Sequence, residues 1–221
     1  MRTAAVLPVK SFGRAKQRLG DALGEPDRGE LAAAMLGDVL DALRAVGGIA
    51  DVIVVTADER AIAAARSAGA HVVDDPVEAG QSDAAARGVR AAVARGARRV
   101  LLVPGDCPAL DASEVARLLD EYPGAGLVIV PDRHGSGTNA LLIAPPGAVD
   151  PAFGTGSFAR HAARGAAAGA VVRVAQAPSL ELDVDTPGDL DALRAALADL
   201  PAAAPRTRAL LATMAPSSAV A

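Results

Sequence analysis

Apolar residues recur along this chain in two rhythms. Short continuous runs, many of them rich in β-branched residues, occur at Ala4–Val9, Val52–Thr56, His71–Val73, Val100–Val103, Leu127–Val130, Ala140–Ile143 and Val171–Val174. Such runs, bounded by turn residues, predict strands. Between the early runs lie stretches with helical spacing. Arg28–Val46 carries Leu31, Met35, Leu36, Val39, Leu40 and Leu43 at that spacing, and Asp58–Ser67, Ser82–Arg95 and Ser113–Glu121 are shorter versions. Strand and helix in alternation predict βαβ units. Continuous strands such as Val100–Val103 predict a sheet buried on both faces. The expected fold class is therefore α/β: a single domain with a mostly parallel sheet and helices on both faces.

After about residue 125 the rhythm changes. Leu127–Val130 and Ala140–Ile143 are joined by PDRHGSGTN, which is too short for a helical crossover. The two strands are either an antiparallel pair, or the loop between them is a functional insertion. Residues 199–221 are rich in Pro and Ala. They read as a linker followed by a partly disordered tail, outside a domain spanning 1–198.

Composition narrows the partners. The chain has 221 residues, enough for one well-buried α/β core. Aromatics make up 2% of it, so Ala, Val and Leu must build that core with closely packed helices. The net charge of −4 comes without a basic stripe, which argues against a nucleic-acid polymer as partner. A single cysteine, Cys107, leaves no internal disulfide and fits a reducing compartment. No apolar run is long enough for a membrane span or a signal peptide, so the expected setting is cytoplasmic.

In an open parallel sheet, ligands lie beyond the carboxyl ends of the strands. Four polar segments stand there. VKSFGRAKQRL follows the first strand and carries Lys10, Lys16 and Arg18, which either hold phosphates or form a solvated loop. It matches neither a Walker A loop nor a dinucleotide fingerprint. PGDCPALD follows Val100–Val103 and places Asp106 at a strand end. Asp111 or Ser113 is better placed to cap the next helix, with Glu114 completing a capping box, so Asp106 is spare. A spare carboxylate at this place is read as a Mg²⁺ ligand. Cys107 beside it invites a nucleophile reading, but no paired base accompanies it.

DVDTPGDL offers Asp183 and Asp185, which point the same way if the segment is extended. Thr186 and Pro187 read as a helix start, with Asp189 in the first turn as a structural acid. Either Asp183 or Asp185 is a candidate second metal ligand. DRHGSGTNA and FGTGSFARH supply Ser136, Thr138, Thr155 and Ser157 for an anion, with Arg133, Arg160 and Arg164 as added charge. His71, His134 and His161 are too scattered for a zinc site, and His161 reads as a surface residue of a helix.

Taken in order, V-K-x-F-x-x-A-K-x-R-L, G-D-C-P-A-L, D-R-x-G-S-G-T-N, F-G-x-G-S-x-x-R-H and D-V-D-T-P-x-D-L resemble the guanylyltransferases of coenzyme F420 biosynthesis. These are the 2-phospho-L-lactate and phosphoenolpyruvate guanylyltransferases, within a nucleotidyltransferase superfamily of Rossmann-like, GT-A-type sheets. The match covers residues 1 to about 198. The resemblance implies that Lys10, Lys16 and Arg18 meet the GTP phosphates. It implies that Asp106 and Asp183, with Asp185 as a further partner, hold Mg²⁺. It places Thr138, Gly154 and Ser157 around the carboxylate and phosphate of a small phosphorylated acid. Where the family often shows G-L-N, this chain has Gly80-Gln81-Ser82, so Gly80 and Ser82 stand at the nucleotide-binding position with Ser in place of Asn.

The reaction so implied transfers GMP from GTP to phosphoenolpyruvate or 2-phospho-L-lactate and releases pyrophosphate. The attacking phosphate oxygen is already ionised, so no general base is needed. An Ala- and Arg-rich composition favours phosphoenolpyruvate. A homodimer is compatible with this reading. The rival readings are a molybdenum-cofactor-type nucleotidyltransferase, whose glycine-rich first loop is missing here, and a non-catalytic nucleotide-binding domain.

Overall fold

A computed structural model of the chain describes residues 1–14, 16–20 and 23–214, with the backbone alone at Arg14. The last residues of the expected tail, 215–221, lie outside the described residues. Seven strands form one sheet: β1 Thr3–Pro8, β2 Ile49–Thr56, β3 His71–Asp74, β4 Arg99–Leu102, β5 Gly126–Pro131, β6 Thr138–Ala144 and β7 Val172–Val174. Their spatial order is β3-β2-β1-β4-β6-β5-β7. Only β6 runs against the rest, pairing antiparallel with both β4 and β5. The mostly parallel sheet expected from the pattern is thus present, and the loop after β5 joins an antiparallel pair.

The helices cover both faces, because successive strand residues point to opposite sides. Ala5 and Leu7 of β1, with Val52 and Val54 of β2, face one layer made by α1 Glu25–Ala45, α2 Glu59–Ser67 and α4 Ala112–Glu121. Ala4, Val6, Ile53 and Val55 face the other, made by α3 Gln81–Ala94 and α5 Ser157–Ala167. On α3, Gly88 is the point of closest approach, where a Cβ would run into Val6 and Val55. The short α6 Pro178–Glu181 precedes α7 Pro187–Asp199 and α8 Pro205–Thr213.

Two boundaries differ from the sequence reading. The first helix begins at Glu25 rather than Arg28, because Pro26 sits in its first turn, where a missing N–H costs nothing. Residues 205–213, inside the stretch expected as a linker and tail, form α8 and pack on α1. Asp38 of α1 accepts the backbone N–H groups of Arg206 (3.0 Å) and Thr207 (2.8 Å). A third apolar cluster, with Leu31 and Met35 of α1, Leu193 of α7 and Leu211 of α8, closes around Val184. Pro and Ala in a terminal segment suggest a linker, but an N-terminal Pro and a buried stripe suffice for a docked helix. Among the described residues no helix is long and apolar enough to cross a membrane.

Candidate active site

The chain leaves β1 and β4, neighbours at the middle of the sheet, for opposite directions: β1 is followed by β2 on one side, β4 by strands on the other. That divergence opens a crevice at the strand ends. The loop after β1 is tied down from its far side. Phe12 N–H donates to Asp58 Oδ2 at 2.8 Å, while Asp58 Oδ1 caps α2 through Arg60 and Ala61. Ser11 donates its N–H (2.8 Å) and its hydroxyl (2.6 Å) to Glu78 Oε1. The loop then delivers Lys16 to the crevice.

Lys16 is a buried cation, with 6% of its side chain exposed. Its Nζ pairs with Asp106 from the end of β4, and with Asp185 Oδ1 at 3.0 Å. Burial alone would lower the lysine's pKa. The two carboxylates overcome it and raise the pKa, so the ammonium is held charged. Asp183 stands beside them. Burial, and next the negative charge of Asp106, push its carboxyl up to about 6, while Asn139 Nδ2 donates to its Oδ1 at 3.1 Å.

Local sequence explains how acids so far apart in the chain meet. Val184 is fully buried in the cluster under α1 and α7, so Asp183 and Asp185 flank an inward anchor. Its N–H donates to the carbonyl of Asp106 at 3.2 Å, which stitches the two acidic segments together by backbone. Thr186 and Asp189 then start α7 with a capping box. Asp189 Oδ2 also accepts the N–H of Asp185 at 3.1 Å, and Arg133 pairs with its other oxygen at 2.5 Å.

Among the described residues Asp106 caps no helix. Asp111 Oδ1 takes the N–H groups of Ser113 (2.7 Å) and Glu114 (3.2 Å) and so caps α4. Glu114 does not complete a capping box, a correction to the sequence reading. Its Oε2 accepts the N–H of Ser179 at 2.8 Å instead, because α6 passes within reach. Cys107 is buried, its thiol is directed at the Leu180 carbonyl (3.4 Å), and burial pushes its pKa well up. It is an unreactive core thiol.

A second group of expected residues lies at the start of β6. Pairing skips here: Ala140 faces Val130 and Thr138 faces Pro131, so Asn139 is an extra residue in a bulge. Strict alternation from Leu142 and Ala140 would turn Thr138 toward α1 and α4. The bulge turns it toward α5 instead, and frees Asn139 to reach Asp183. Gly154 adopts φ +103°, open to glycine, and its carbonyl accepts the N–H of Ser157, the buried first residue of α5. Phe158 N–H donates to the Ser136 carbonyl at 3.2 Å, which fixes α5 against the β5–β6 loop.

His161 of α5 is fully buried, contrary to the surface position expected for it. Its Nδ1 lies 3.0 Å from Thr138 Oγ1, and its Nε2 accepts the N–H of Ala152 at 2.8 Å. The arginines expected to add charge do other work. Arg160 donates to the carbonyls of Ala152 and Phe153, and Arg164 to those of Asp150 and Pro151, so both hold the loop before α5. Arg133 serves Asp189.

Four of the expected residues are therefore brought together: Lys16, Asp106, Asp183 and Asp185. Thr138, Gly154 and Ser157 sit along the same mouth, joined to the acids through Asn139. Lys10 and Arg18 are exposed on the loop around Lys16. Gly80, with φ +132°, and Ser82 open α3 on the β3 side of the mouth. Neither the Lys10–Arg18 pair nor Gly80 and Ser82 make an ion pair or hydrogen bond to the acids among the described residues. Sequence reasoning misses Asn139, His161, Arg133 and Glu78 as supports. The Asn of GSGTN, the His of ARH and Arg133 stand inside motifs already noted, whereas Glu78 carries no local signal.

The donor set suits a hard divalent cation. All three acids offer oxygen, and Asp183 and Asp106 crowd their charges in a half-buried place where, among the described residues, Lys16 pairs with Asp106. As the side chains stand, no group of three His, Cys, Asp or Glu among the described residues encloses a single point. A Mg²⁺ ion, which takes one or two carboxylates and completes its shell with water and phosphate, fits such a set.

The chain is also similar to known proteins. Residues 3–195 match the family described as "Guanylyl transferase CofC like". The chain is 48% identical to a phosphoenolpyruvate guanylyltransferase of Conexibacter woesei, over 96% of this chain and 96% of that protein. It is 38% identical to one of Sphaerobacter thermophilus, over 87% and 93%. Among solved structures it is similar to a protein of Desulfovibrio desulfuricans G20 described as a nucleotide-diphospho-sugar transferase. The TM-score is 0.76 at 18% identity, covering 96% of this chain and 95% of that one, which speaks to the fold.

Proposed function

The chain belongs to the CofC-like guanylyl transferase family, and from that premise we propose that it transfers GMP from GTP to phosphoenolpyruvate with Mg²⁺ as its cofactor, the activity of coenzyme F420 guanylyltransferases. One observation carries the reading: Lys16, Asp106, Asp183 and Asp185 converge from three distant segments on the mouth of the sheet.

A phosphate oxygen of the acceptor forms a bond to the α-phosphorus of GTP. The bond from that phosphorus to the β-bridging oxygen breaks, and pyrophosphate leaves with the electron pair. The nucleophile is ionised at neutral pH, so the chain supplies no general base. Cys107, a buried thiol, and His161, both of whose ring nitrogens are in hydrogen bonds, do not stand ready as one. What the residues supply is position and charge. Lys16 lays a fixed positive charge beside the transferred group, with Lys10 and Arg18 on the same loop reaching the triphosphate. Asp106 and Asp183 would hold the metal, with Asp185 beside them. A Mg²⁺ ion held there would supply positive charge to offset that of the phosphates. Thr138, Gly154 and Ser157 receive the acceptor's anionic groups at the start of α5.

The test is a panel of GTP, ATP, CTP and UTP against phosphoenolpyruvate, 2-phospho-L-lactate and a no-acceptor control, with Mg²⁺ or EDTA, products identified by mass. Pyrophosphate and a GMP-capped enolpyruvate are expected with GTP, phosphoenolpyruvate and Mg²⁺. Preference for 2-phospho-L-lactate would overturn the acceptor assignment, and no transfer by folded protein would overturn the reading.

A further inference from the structure

We infer that His161 is a positioning residue that engages the Thr138 oxygen and turns the hydroxyl proton away from the ring, so that Thr138 presents this proton to a hydrogen-free oxygen of the phosphorylated acid. The inference rests on the reading of Thr138 as an acceptor contact given above.

Each step follows from donor and acceptor chemistry. The N–H of Ala152 is only a donor, so Nε2 of His161, 2.8 Å away, carries no proton. A neutral imidazole has one N–H, which therefore sits on Nδ1. Nδ1 is 3.0 Å from Thr138 Oγ1 and donates to it. The threonine oxygen is thereby used as an acceptor, and its own proton must point elsewhere. Among the described residues the Thr138 hydroxyl makes no other hydrogen bond. The ring is rigidly seated, being fully buried, with Phe153 packed edge-on at 5.1 Å between centroids. Burial, and next the charges of Arg160 and Arg164, lower its pKa to about 4, so it stays neutral at physiological pH.

A threonine alone can turn its hydroxyl either way. One whose oxygen is already engaged by a fixed N–H presents a donor and is matched to a carboxylate or ionised phosphate oxygen, where the bond is charge-assisted. The bulge at Asn139 places this donor next to the Asp183 support, so the acceptor's anionic end and the acids are set by adjacent residues of one strand.

The tautomer is read directly by ¹⁵N NMR of the histidine rings in the whole protein. An Nδ1–H signature for His161 is expected, and an Nε2–H signature overturns the inference, whatever the activity. The functional consequence is read from a cycle of Thr138→Val, His161→Phe and the double variant, with His161→Asn as the conservative change that keeps a donor near the Nδ1 position. Loss of one hydrogen bond to a charged group corresponds to roughly 10- to 100-fold. His161→Phe should raise KM for phosphoenolpyruvate at least about tenfold and KM for GTP less than about twofold. His161→Asn should recover most of the loss, and in the Thr138→Val background His161→Phe should add less than about twofold. Additive effects overturn the role of His161 while leaving Thr138 as a contact. A Thr138→Val variant with unchanged acceptor KM overturns the contact itself.

Discussion

At the acid cluster charge opposes charge: a buried ammonium pairs with two carboxylates, and Asp183 beside them keeps its proton to an unusually high pH because it is buried with Asp106 near. At the start of β6, a few residues along the same mouth, Thr138, Ser157 and His161 are buried and neutral, and order comes from hydrogen bonds whose direction is fixed. Under the proposed function the first region exchanges partners, its carboxylates trading a lysine for a metal ion. The second does not, because moving any member strands a buried donor or acceptor. The contrast suits the two substrates. A triphosphate and its metal need a place where charge can be rearranged, whereas a small acid needs a place already shaped for it.

The largest effect should come from breaking the charged side. Asp106→Asn keeps the shape and removes the charge, and turnover should fall on the order of 10³-fold, with thermal unfolding nearly unchanged. A loss under tenfold in steady-state pyrophosphate release would show that Asp106 is not central to charge balance.

The neutral side should show itself in stability rather than turnover. His161 titrates at about 4 in the fold against 6.5 in the unfolded chain. As pH falls, the unfolded chain takes up the proton first, so this contribution is complete above about pH 6.5 and is lost progressively as the pH drops toward 4. Between pH 7.5 and 5 the loss should be about 2 kcal/mol. Urea unfolding of the wild type and of His161→Asn measures it as the difference between their pH slopes, and equal slopes would contradict a buried neutral ring.

The smallest effect belongs to Cys107, which lies between the acids in sequence but outside their chemistry. Cys107→Ala should leave kcat within about twofold and lower stability by roughly 1 kcal/mol for the lost packing. A large loss of turnover with an unchanged melting temperature would give the thiol a part in the reaction.

Much of this is legible in the sequence. The strands and the crossover helices follow from apolar rhythm, loop length offers the reversal at β6 as one of two readings, and Asp106 is marked by the better cap at Asp111. The motifs predict which acids meet, but not the means. That Val184 is the anchor, and that its N–H binds the carbonyl of residue 106, depends on a cluster of α1, α7 and α8 that no local pattern contains. The burial of His161 escapes sequence reasoning because helix position alone says little when the partner is a bulged strand. A bulge breaks the alternation on which the reading of β6 relies. Helix α8 escapes it too, because docking on Asp38 is visible only in three dimensions.

The Val184–Asp106 backbone bond also bears on how the charge at the mouth is gathered. Its two halves stand 78 positions apart in the chain, and the later half is held by helices near the carboxyl end. A growing chain on the ribosome can complete β1 to β4 and expose Lys16 and Asp106 well before Asp183 and Asp185 emerge. Until then its lysine and lone acid neutralise one another, and the surplus of negative charge gathers only when the Val184 segment docks. The charge balance at the mouth is thus set by a contact between distant segments rather than by any one loop.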